Sequence, residues 1–337
     1  YFIANVDPSD AMTTLSTLNP ANTLFILVSK SGSTLETHSN YLLVKEWLCS
    51  HGITEDKHAQ HFIAVTGKGS PLDNPNDFID IFYMDDAIGG RYSTSSAVGG
   101  AVLSLAFGAN VFESFLKGAH DMDTHALNPD IRENMVLLSA FIDVWNRQYL
   151  AYDAKGIIPY HHALRLIPAH LQQLDCESNG KQSNINNERI NYKTGPMVFG
   201  STGTNSQHSF FQLLHQGSSI YPLQFIGIKE MTGSSLNQSK DNHRILNANL
   251  IAQIVALAEG YSSENPNKEF DGGRPSTLLI GDSISPELLG ALFSFYENES
   301  ITITGTNGKS TTAKILHDAL IDQKRDSRLI GNIGNQP

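Results

Sequence analysis

Cysteine, basic charge and long apolar runs are all scarce in this 337-residue sequence. Cys49 and Cys176 are too few for a disulfide framework, which favours a reducing cytoplasm as the location. The 23 lysines and arginines face 34 aspartates and glutamates, so the formal net charge is −11. No basic cluster offsets this charge, which argues against a surface for nucleic acid or anionic membrane. No apolar run reaches transmembrane length, and no signal peptide opens the chain.

The composition that remains is that of a globular protein, with 40% hydrophobic and 17% charged residues. The length allows a full core and two or three structural units. Because the chain starts at Tyr1 and stops at Pro337 in the middle of sequence patterns, we expect a fragment at both ends.

Short apolar runs alternate with helical patterns along most of the chain. The runs predict strands at 23–29, 61–66, 79–83, 197–199, 221–228 and 276–280. The helical patterns lie at 41–48, in three segments of 93–150, and at 206–216, 245–259 and 286–296. This alternation predicts an α/β fold of two doubly wound, mainly parallel sheets with flanking helices.

The same pattern predicts four segments. A first α/β unit would occupy residues 1–110, and a helical insertion residues 111–155. A second α/β unit would follow at 156–298, and a short nucleotide-loop piece at 299–337.

The segment Ser-Lys-Ser-Gly-Ser-Thr at residues 29–34 lies between a predicted buried strand and a predicted helix start. Unpaired amides at a helix N-terminus favour an anion, and the hydroxyls and the lysine could surround a phosphate. On these residues alone, a Ser/Thr helix cap explains the segment equally well. The candidate phosphate ligands are Ser29, Lys30, Ser31, Ser33 and Thr34.

Residues 86–99 read Asp-Ala-Ile-Gly-Gly-Arg-Tyr-Ser-Thr-Ser-Ser-Ala-Val-Gly. Paired glycines let the backbone approach a ligand, and Arg91 then presents a permanently charged group. A preorganised cation lowers the barrier of a reaction that develops negative charge on oxygen. A lone Gly-Gly-Arg is otherwise a surface turn.

Two further segments carry acid–base groups. Glu177 lies in Gln-Leu-Asp-Cys-Glu-Ser-Asn-Gly-Lys at 173–181, and His208 ends Gly-Thr-Asn-Ser-Gln-His at 203–208. A carboxylate and an imidazole can serve as the base and the acid of a proton-transfer reaction. A proton next to a carbonyl is weakly acidic, so its removal needs a carboxylate held close and partly desolvated. The plain alternatives are a solvated turn carboxylate and a capped core histidine.

These four segments, in this order, resemble signature segments of the glucose-6-phosphate isomerase family over roughly residues 1–298. The resemblance implies a sugar-isomerase (SIS) fold and metal-free, cofactor-free interconversion of glucose 6-phosphate and fructose 6-phosphate through a cis-enediol. It assigns proton transfer between C1 and C2 to Glu177, help in ring opening to His208, and charge stabilisation to Arg91. It assigns the sugar phosphate to residues 29–34 and Gln173. In this family the histidine reaches the neighbouring subunit's site, so a homodimer is implied.

The chain departs from the family pattern at four places. Ser95 stands where many members carry Trp, and Ser206 stands where they carry Gly. The family's early Gly-Gly-Ser loop and its C-terminal helix, whose lysine assists ring opening, have no counterpart here. We therefore expect an incomplete copy of the enzyme.

Residues 299–337 read differently, as a strand at 301–304 followed by Gly-Thr-Asn-Gly-Lys-Ser-Thr at 305–311. This segment, together with Gly-Asn-Ile-Gly at 331–334, resembles the ATP loop of Mur ligases, most of all the ligase that adds D-glutamate to UDP-N-acetylmuramoyl-L-alanine. ATP and magnesium would be cofactors only if a complete ligase were present, and about forty residues are too few for one. The implied nucleotide ligands are Gly305, Asn307, Gly308, Lys309 and Ser310.

Four hypotheses follow. The first is the isomerase, and the second is a non-catalytic SIS module that binds a sugar phosphate. The third is an isomerase remnant fused to a Mur ligase, and in the fourth residues 299–337 come from a misjoined sequence. Glu177, Arg91 and His208 together favour the enzyme, because a sensor needs the phosphate loop but no base.

Overall fold

The computed structural model describes residues 1–184 and 186–304. The chain divides into two compact units, residues 1–114 and residues 115 onward. In the described part, each unit contains one parallel sheet with helices packed against it.

The sheet of the first unit has three parallel strands in the order β1-β2-β3. They are β1 (Phe25–Ser29), β2 (Phe62–Gly67) and β3 (Asp80–Met84). The helices are α1 (Pro8–Leu15), α2 (Leu35–Ser50) and α3 (Ala97–Phe107), and α4 (Ala109–Ala126) crosses into the second unit. The central strand β2 is buried along its whole length, as expected for a strand covered on both faces.

The sheet of the second unit has four parallel strands in the order β5-β4-β6-β7. They are β4 (Ala154–Pro159), β5 (Met197–Gly200), β6 (Leu223–Ile228) and β7 (Ser276–Gly281). The helices are α5 (Met135–Val144), α6 (Ile167–Asn179), α7 (Phe211–Gln216), α8 (Asn237–Glu259) and α9 (Pro286–Thr304). The core between the sheet and α7 and α8 is centred on Phe225, Phe211, Leu250 and Leu257.

The predicted fold class is confirmed, and all six predicted strands are present with ends shifted by at most two residues. The sequence did not reveal α1, α6 or the central strand β4. The sequence of β4 is not a continuous apolar run, because it contains Lys155, Gly156 and Pro159. A lysine usually indicates an exposed position, but Lys155 is buried and paired with carboxylates. The four-segment division stays a prediction.

The strand predicted at 301–304 is wrong, because these residues continue helix α9. The alternation of Ile301 and Ile303 suggested a strand, but Glu299 and Ser300 are buried on the helix. Thr302 donates its hydroxyl to the Asn298 carbonyl one turn earlier (2.7 Å), a bond that fits the helix. The candidate nucleotide ligands Gly305, Asn307, Gly308, Lys309 and Ser310 lie outside the described residues.

A buried ion network fastens α9 to the second sheet. Lys155 of β4 donates to Asp143 of α5 at 2.5 Å and lies 3.5 Å from Glu299 of α9. The Ser139 hydroxyl also donates to Glu299. Burial alone would lower the pKa of Lys155, but Asp143 and Glu299 outweigh it and the net shift is upward. Burial raises the pKa of Glu299 to about 7, although Lys155 opposes this.

Glu297 is a second carboxyl group of α9 that is largely removed from solvent, and it should make the stability of the protein depend on pH. Among the described residues one Glu297 oxygen is buried without a hydrogen-bond partner, and burial together with Asp123 raises its pKa to about 7. The pKa of Glu297 is thus higher in the folded state than its unfolded value near 4.5. Its contribution to the free energy of unfolding is fully present below pH 4.5 and is lost as the pH rises through 7. We expect Glu297→Gln to raise the Tm at pH 8 by about 2–6 °C and to change it little at pH 5.

Thermal unfolding at both pH values measures this effect. Glu259→Gln, at the exposed end of α8, is the matched control and should shift the Tm equally at pH 5 and pH 8. An equal gain for Glu297→Gln at the two pH values would contradict the assignment.

Within residues 1–184 and 186–304, none of the helices combines the length and the apolar character needed to cross a bilayer.

Candidate active site

The loop of residues 29–34 joins β1 to α2 at the carboxyl edge of the first sheet. The Ser29 hydroxyl is buried and lies 2.7 Å from the Thr34 hydroxyl. Thr34 is the residue before α2, yet its side chain makes no capping bond to the first amides of the helix. These hydroxyls are thus not used in the way that the helix-cap interpretation requires, and the helix start keeps its capacity to receive an anion.

The turn of this loop depends on Gly32, which has a φ of +64°. A Cβ atom there would lie 2.8 Å from the Ser70 hydroxyl and 2.9 Å from Pro71 Cδ. Beside it, the exposed Ser31 hydroxyl accepts bonds from the Ser33 amide (3.2 Å) and hydroxyl (3.0 Å). The loop therefore presents several hydroxyls, and its backbone packs closely on Ser70 and Pro71.

Lys30 extends from the same loop to another segment of the first unit. Its ammonium donates to the carbonyls of Asp86 at 2.5 Å and Ile88 at 2.9 Å. The structure thus connects two predicted site segments that are more than fifty residues apart in the sequence. No local pattern indicated this contact.

Arg91 lies in a short 3₁₀ turn, Gly90–Tyr92, before α3. Its guanidinium lies 5.2 Å from the centre of the Tyr92 ring. A Cβ at Gly90 would meet nothing within 4 Å, and one at Gly89 only a Tyr92 ring atom at 3.8 Å. The two glycines leave open space beside the arginine, as close approach of a ligand requires. Ser95, the departure from the family's Trp, is exposed.

In the second unit, Gln173 and Glu177 lie one turn apart on α6, and the Gln173 amide donates to the Glu177 carboxylate at 3.2 Å. The Asn-Gly turn is the end of this helix. A Cβ at Gly180 would lie 2.2 Å from the Cys176 carbonyl, so only glycine fits there. Glu177 is exposed, whereas the sequence predicted a partly desolvated carboxylate.

Helix α6 runs antiparallel to β5, which fixes the edge of the sheet at which Glu177 lies. A Cβ at Gly200, the end of β5, would lie 2.9 Å from Pro168 in the first turn of α6. A Cβ at Gly195, before β5, would lie 2.7 Å from Asn179 in the last turn. Glu177 therefore lies at the amino edge of the second sheet.

His208 lies beyond the carboxyl end of β5, at the end of the 3₁₀ turn Asn205–His208, and is exposed. The loop before it packs on Tyr160, which follows the carboxyl end of β4. A Cβ at Gly203 would lie 2.3 Å from the Tyr160 ring, and the Gln207 amide donates to the Tyr160 hydroxyl at 2.8 Å. Tyr160 thus positions the histidine loop, a role that no sequence signal indicated.

Glu177 and His208 of one chain accordingly lie at opposite edges of the second sheet. Pro168 and Glu177 are nine positions apart on α6, which alone separates them by about 13 Å along the helix axis. The predicted single helix at 206–216 is also divided, since α7 begins only at Phe211. Within the described residues, the buried hydroxyl of Ser206 has no hydrogen-bond partner, a cost that the family's glycine avoids.

The predicted catalytic groups are divided between the units, with Arg91 in the first and Glu177 and His208 in the second. In the part of the chain that the structure describes, no three His, Cys, Asp or Glu side chains converge as a metal site would require. Both cysteines are free thiols. The side chains present offer acid–base and anion-binding chemistry.

Comparison with known proteins agrees with these segments. The model of a family described as phosphoglucose isomerase matches residues 1–307. The glucose-6-phosphate isomerases of Treponema denticola and Chlamydia caviae are 52% identical over 301 residues and 46% identical over 310. Each alignment covers 89% of this chain and 57% of the relative, so the chain spans little more than half the length of these curated relatives.

Solved structures show the same relationship. A crystal structure of glucose-6-phosphate isomerase from Chlamydia trachomatis matches with a TM-score of 0.84 and 39% identity, over 96% of this chain and 64% of that chain. A hypothetical protein from Thermus thermophilus shares the fold at 23% identity, with a TM-score of 0.74 over 96% of this chain and 76% of that chain. The chain belongs to the phosphoglucose isomerase family.

Proposed function

We propose that this protein interconverts glucose 6-phosphate and fructose 6-phosphate through a cis-enediol. The family supports the reaction, and the side chains of this chain supply a base, an acid and a cation for it. The arrangement of Gln173 and Glu177 on one face of α6 carries the proposal, because it presents a carboxylate held by a hydrogen bond that a sensor would not need. The mechanism uses side chains alone, without metal or nucleotide.

The proposed steps conserve protons. His208 donates a proton to the ring oxygen as the bond from C1 to that oxygen breaks, and the proton of the O1 hydroxyl returns to the imidazole through solvent. The Glu177 carboxylate removes the proton from C2 of the open aldose, and the electron pair forms the enediol as charge develops on O1 and O2. Arg91 stabilises that charge, and Glu177 returns the proton to C1 while a hydroxyl proton passes from O2 to O1.

Phosphate binding is assigned to the start of α2 and to the hydroxyls of the preceding loop, those of Ser29, Ser31, Ser33 and Thr34. The pair of Ser29 and Thr34 hydroxyls and the uncapped start of α2 support this assignment. The family resemblance also assigns Gln173, on α6, to the substrate phosphate. Backbone amides and hydroxyls suit a chain with a net charge of −11, since they bind an anion without a basic surface.

The proposed active form of the protein is a homodimer. Glu177 and His208 of one chain lie at opposite edges of a sheet, so one centre that uses both residues needs the histidine of a second copy. We place the protein in the cytoplasm, because both cysteines are free thiols.

The test is fructose 6-phosphate isomerisation by the purified chain, followed by coupled oxidation of the glucose 6-phosphate formed. We expect turnover, together with saturable binding of fructose 6-phosphate measured by calorimetry. A folded chain that binds fructose 6-phosphate without turnover would favour the non-catalytic SIS module. A folded chain that does neither would refute both readings.

The phosphate assignment makes a separate prediction. Ser31→Ala combined with Thr34→Ala should weaken the binding of inorganic phosphate and raise the Michaelis constant about 10–100-fold, because two bonds to a charged group are lost. The kcat should change little, since these bonds serve substrate and transition state alike. Thr13→Ala combined with Thr17→Ala removes two exposed hydroxyls of the same unit and should have no effect. Unchanged phosphate affinity in the Ser31 and Thr34 variant would exclude this loop as the phosphate site.

A further inference from the structure

We infer that Lys30 is a positioning residue for Arg91. Its ammonium fastens the segment of residues 85–92 to the carboxyl edge of the first sheet, and it acts on the enediol step through Arg91, not through the phosphate. This inference rests on the proposed function for the role of Arg91. The attachment itself does not depend on any activity.

The first observation is how the ammonium of Lys30 is used. Two of its three N–H groups are donated to main-chain carbonyls, those of Asp86 at 2.5 Å and Ile88 at 2.9 Å. The side chain is half-buried and lies between two structured segments. A lysine used in this way connects two parts of the backbone.

The second observation is the path of the side chain. Lys30 follows β1 and the segment of residues 85–92 follows β3, so the side chain passes over the end of β2, which lies between them. At that end the Gly67 amide donates to the Lys30 carbonyl at 3.0 Å. A Cβ at Gly67 would lie 2.7 Å from this carbonyl oxygen, so the glycine permits the close approach of the Lys30 backbone to the end of β2.

The third observation is the contrast in range between the bonds from Lys30 and several bonds within the segment. The Ile88 amide donates to Asp85 (3.2 Å), the Tyr92 amide to Gly89 (3.0 Å), and the Ser93 hydroxyl to Gly90 (2.6 Å). The bonds from Lys30 span 56 and 58 residues. Gly89 and Gly90 add conformational freedom next to Arg91, and the bonds from Lys30 restrict the part of the segment that precedes them.

The chemical consequence concerns the barrier of the reaction. Arg91 stabilises the enediol only if its guanidinium is held where the charge develops. A displacement of about 1 Å at such a group can cost a factor of about 10² in rate. Loss of Lys30 should therefore lower the kcat and leave the affinity for the substrate phosphate nearly unchanged.

The experiment compares Lys30→Met with Lys68→Met, a matched loss of one exposed lysine just beyond β2. Amide hydrogen exchange of residues 85–92 is measured on the parent and both variants without ligand. The binding of inorganic phosphate is measured by calorimetry, and kcat and KM in the coupled assay. Lys30→Met is repeated in the Arg91→Ala background.

We expect exchange in residues 85–92 to rise at least tenfold in Lys30→Met and not in Lys68→Met. Phosphate affinity should fall no more than about threefold beyond the change in Lys68→Met. The kcat should fall about 10–100-fold in the parent background and less than about threefold in the Arg91→Ala background. Unchanged exchange, or a loss of phosphate affinity of tenfold or more, would overturn the inference.

The two proposals fail separately. A parent protein without turnover refutes the proposed activity of this chain, while exchange and phosphate binding still decide the role of Lys30. An active parent in which Lys30→Met raises KM at constant kcat refutes the positioning role alone.

Discussion

Glu177→Gln is expected to lower isomerase turnover by roughly 10²–10⁴-fold, the range that a positioned acid–base group contributes. The carboxamide keeps the size of the side chain and can still bond to Gln173, but it cannot accept a proton from carbon. Because Glu177 is exposed at the end of α6, the change should not affect folding. The affinity for fructose 6-phosphate should remain within about threefold of the parent value, since the phosphate contacts are kept.

The coupled assay and calorimetry measure the two quantities. Glu259→Gln, another exposed glutamate in the last turn of a helix, is the matched control and should have parental activity. Parental turnover in Glu177→Gln would remove the residue from its proposed role. A parallel loss of fructose 6-phosphate binding would mean that it binds substrate instead of moving the proton.

Mixing two inactive variants extends this test to the proposed dimer. A dimer of one Glu177→Gln chain and one His208→Ala chain has one site with both defects and one with neither, if each site takes its histidine from the partner. Random reassociation of equal amounts should then restore about a quarter of the parental activity. No restoration, with mixed dimers demonstrated by native mass spectrometry, would place both residues in a site of a single chain.

Lys155→Met is expected to lower the free energy of unfolding by about 3–5 kcal/mol at pH 8. The side chains of Lys155, Asp143 and Glu299 are each no more than 10% exposed, so removing the ammonium leaves carboxylates buried without their cation. The loss should be smaller at pH 5, because the pKa of Glu299 is raised to about 7 and a protonated carboxyl needs no counter-charge. Adding Glu299→Gln should recover part of the loss at pH 8.

Denaturant unfolding at pH 5 and pH 8 measures this effect. Lys117→Met removes an exposed lysine paired with Asp121 at 2.8 Å, and it should change stability little at either pH. A loss for Lys155→Met that is equal at the two pH values, or no larger than that of Lys117→Met, would mean that the buried network does not hold α9 to the sheet.

Prediction from sequence succeeded for strands whose burial is uniform. The runs that became β2 and β6 are apolar and buried along their length, so their composition alone indicates strands covered on both faces. It failed for β4, where the burial of Lys155 depends on partners 12 and 144 residues away. It also failed at 301–304, where an alternation typical of a strand belongs to a helix whose preceding turn is buried.

The candidate active site also has features that the sequence predicted and features that it missed. The sequence identified the residue types for proton transfer and phosphate binding, because their motifs are contiguous. It assigned Lys30 to the phosphate but did not indicate that its ammonium donates to the carbonyls of Asp86 and Ile88. It placed Glu177 beside an Asn-Gly turn without predicting α6, whereas the residue lies in the last turn of that helix.

The sequence by itself determined the α/β class, the chemical groups and the family, since these depend on residues that are neighbours along the chain. The tertiary structure alone decided which edge of the second sheet holds Glu177 and which holds His208, and which loop Lys30 reaches. Strand order and the direction of each crossover helix set those neighbours. Segments that meet in this way are separated by dozens of residues, and no local pattern records their contact.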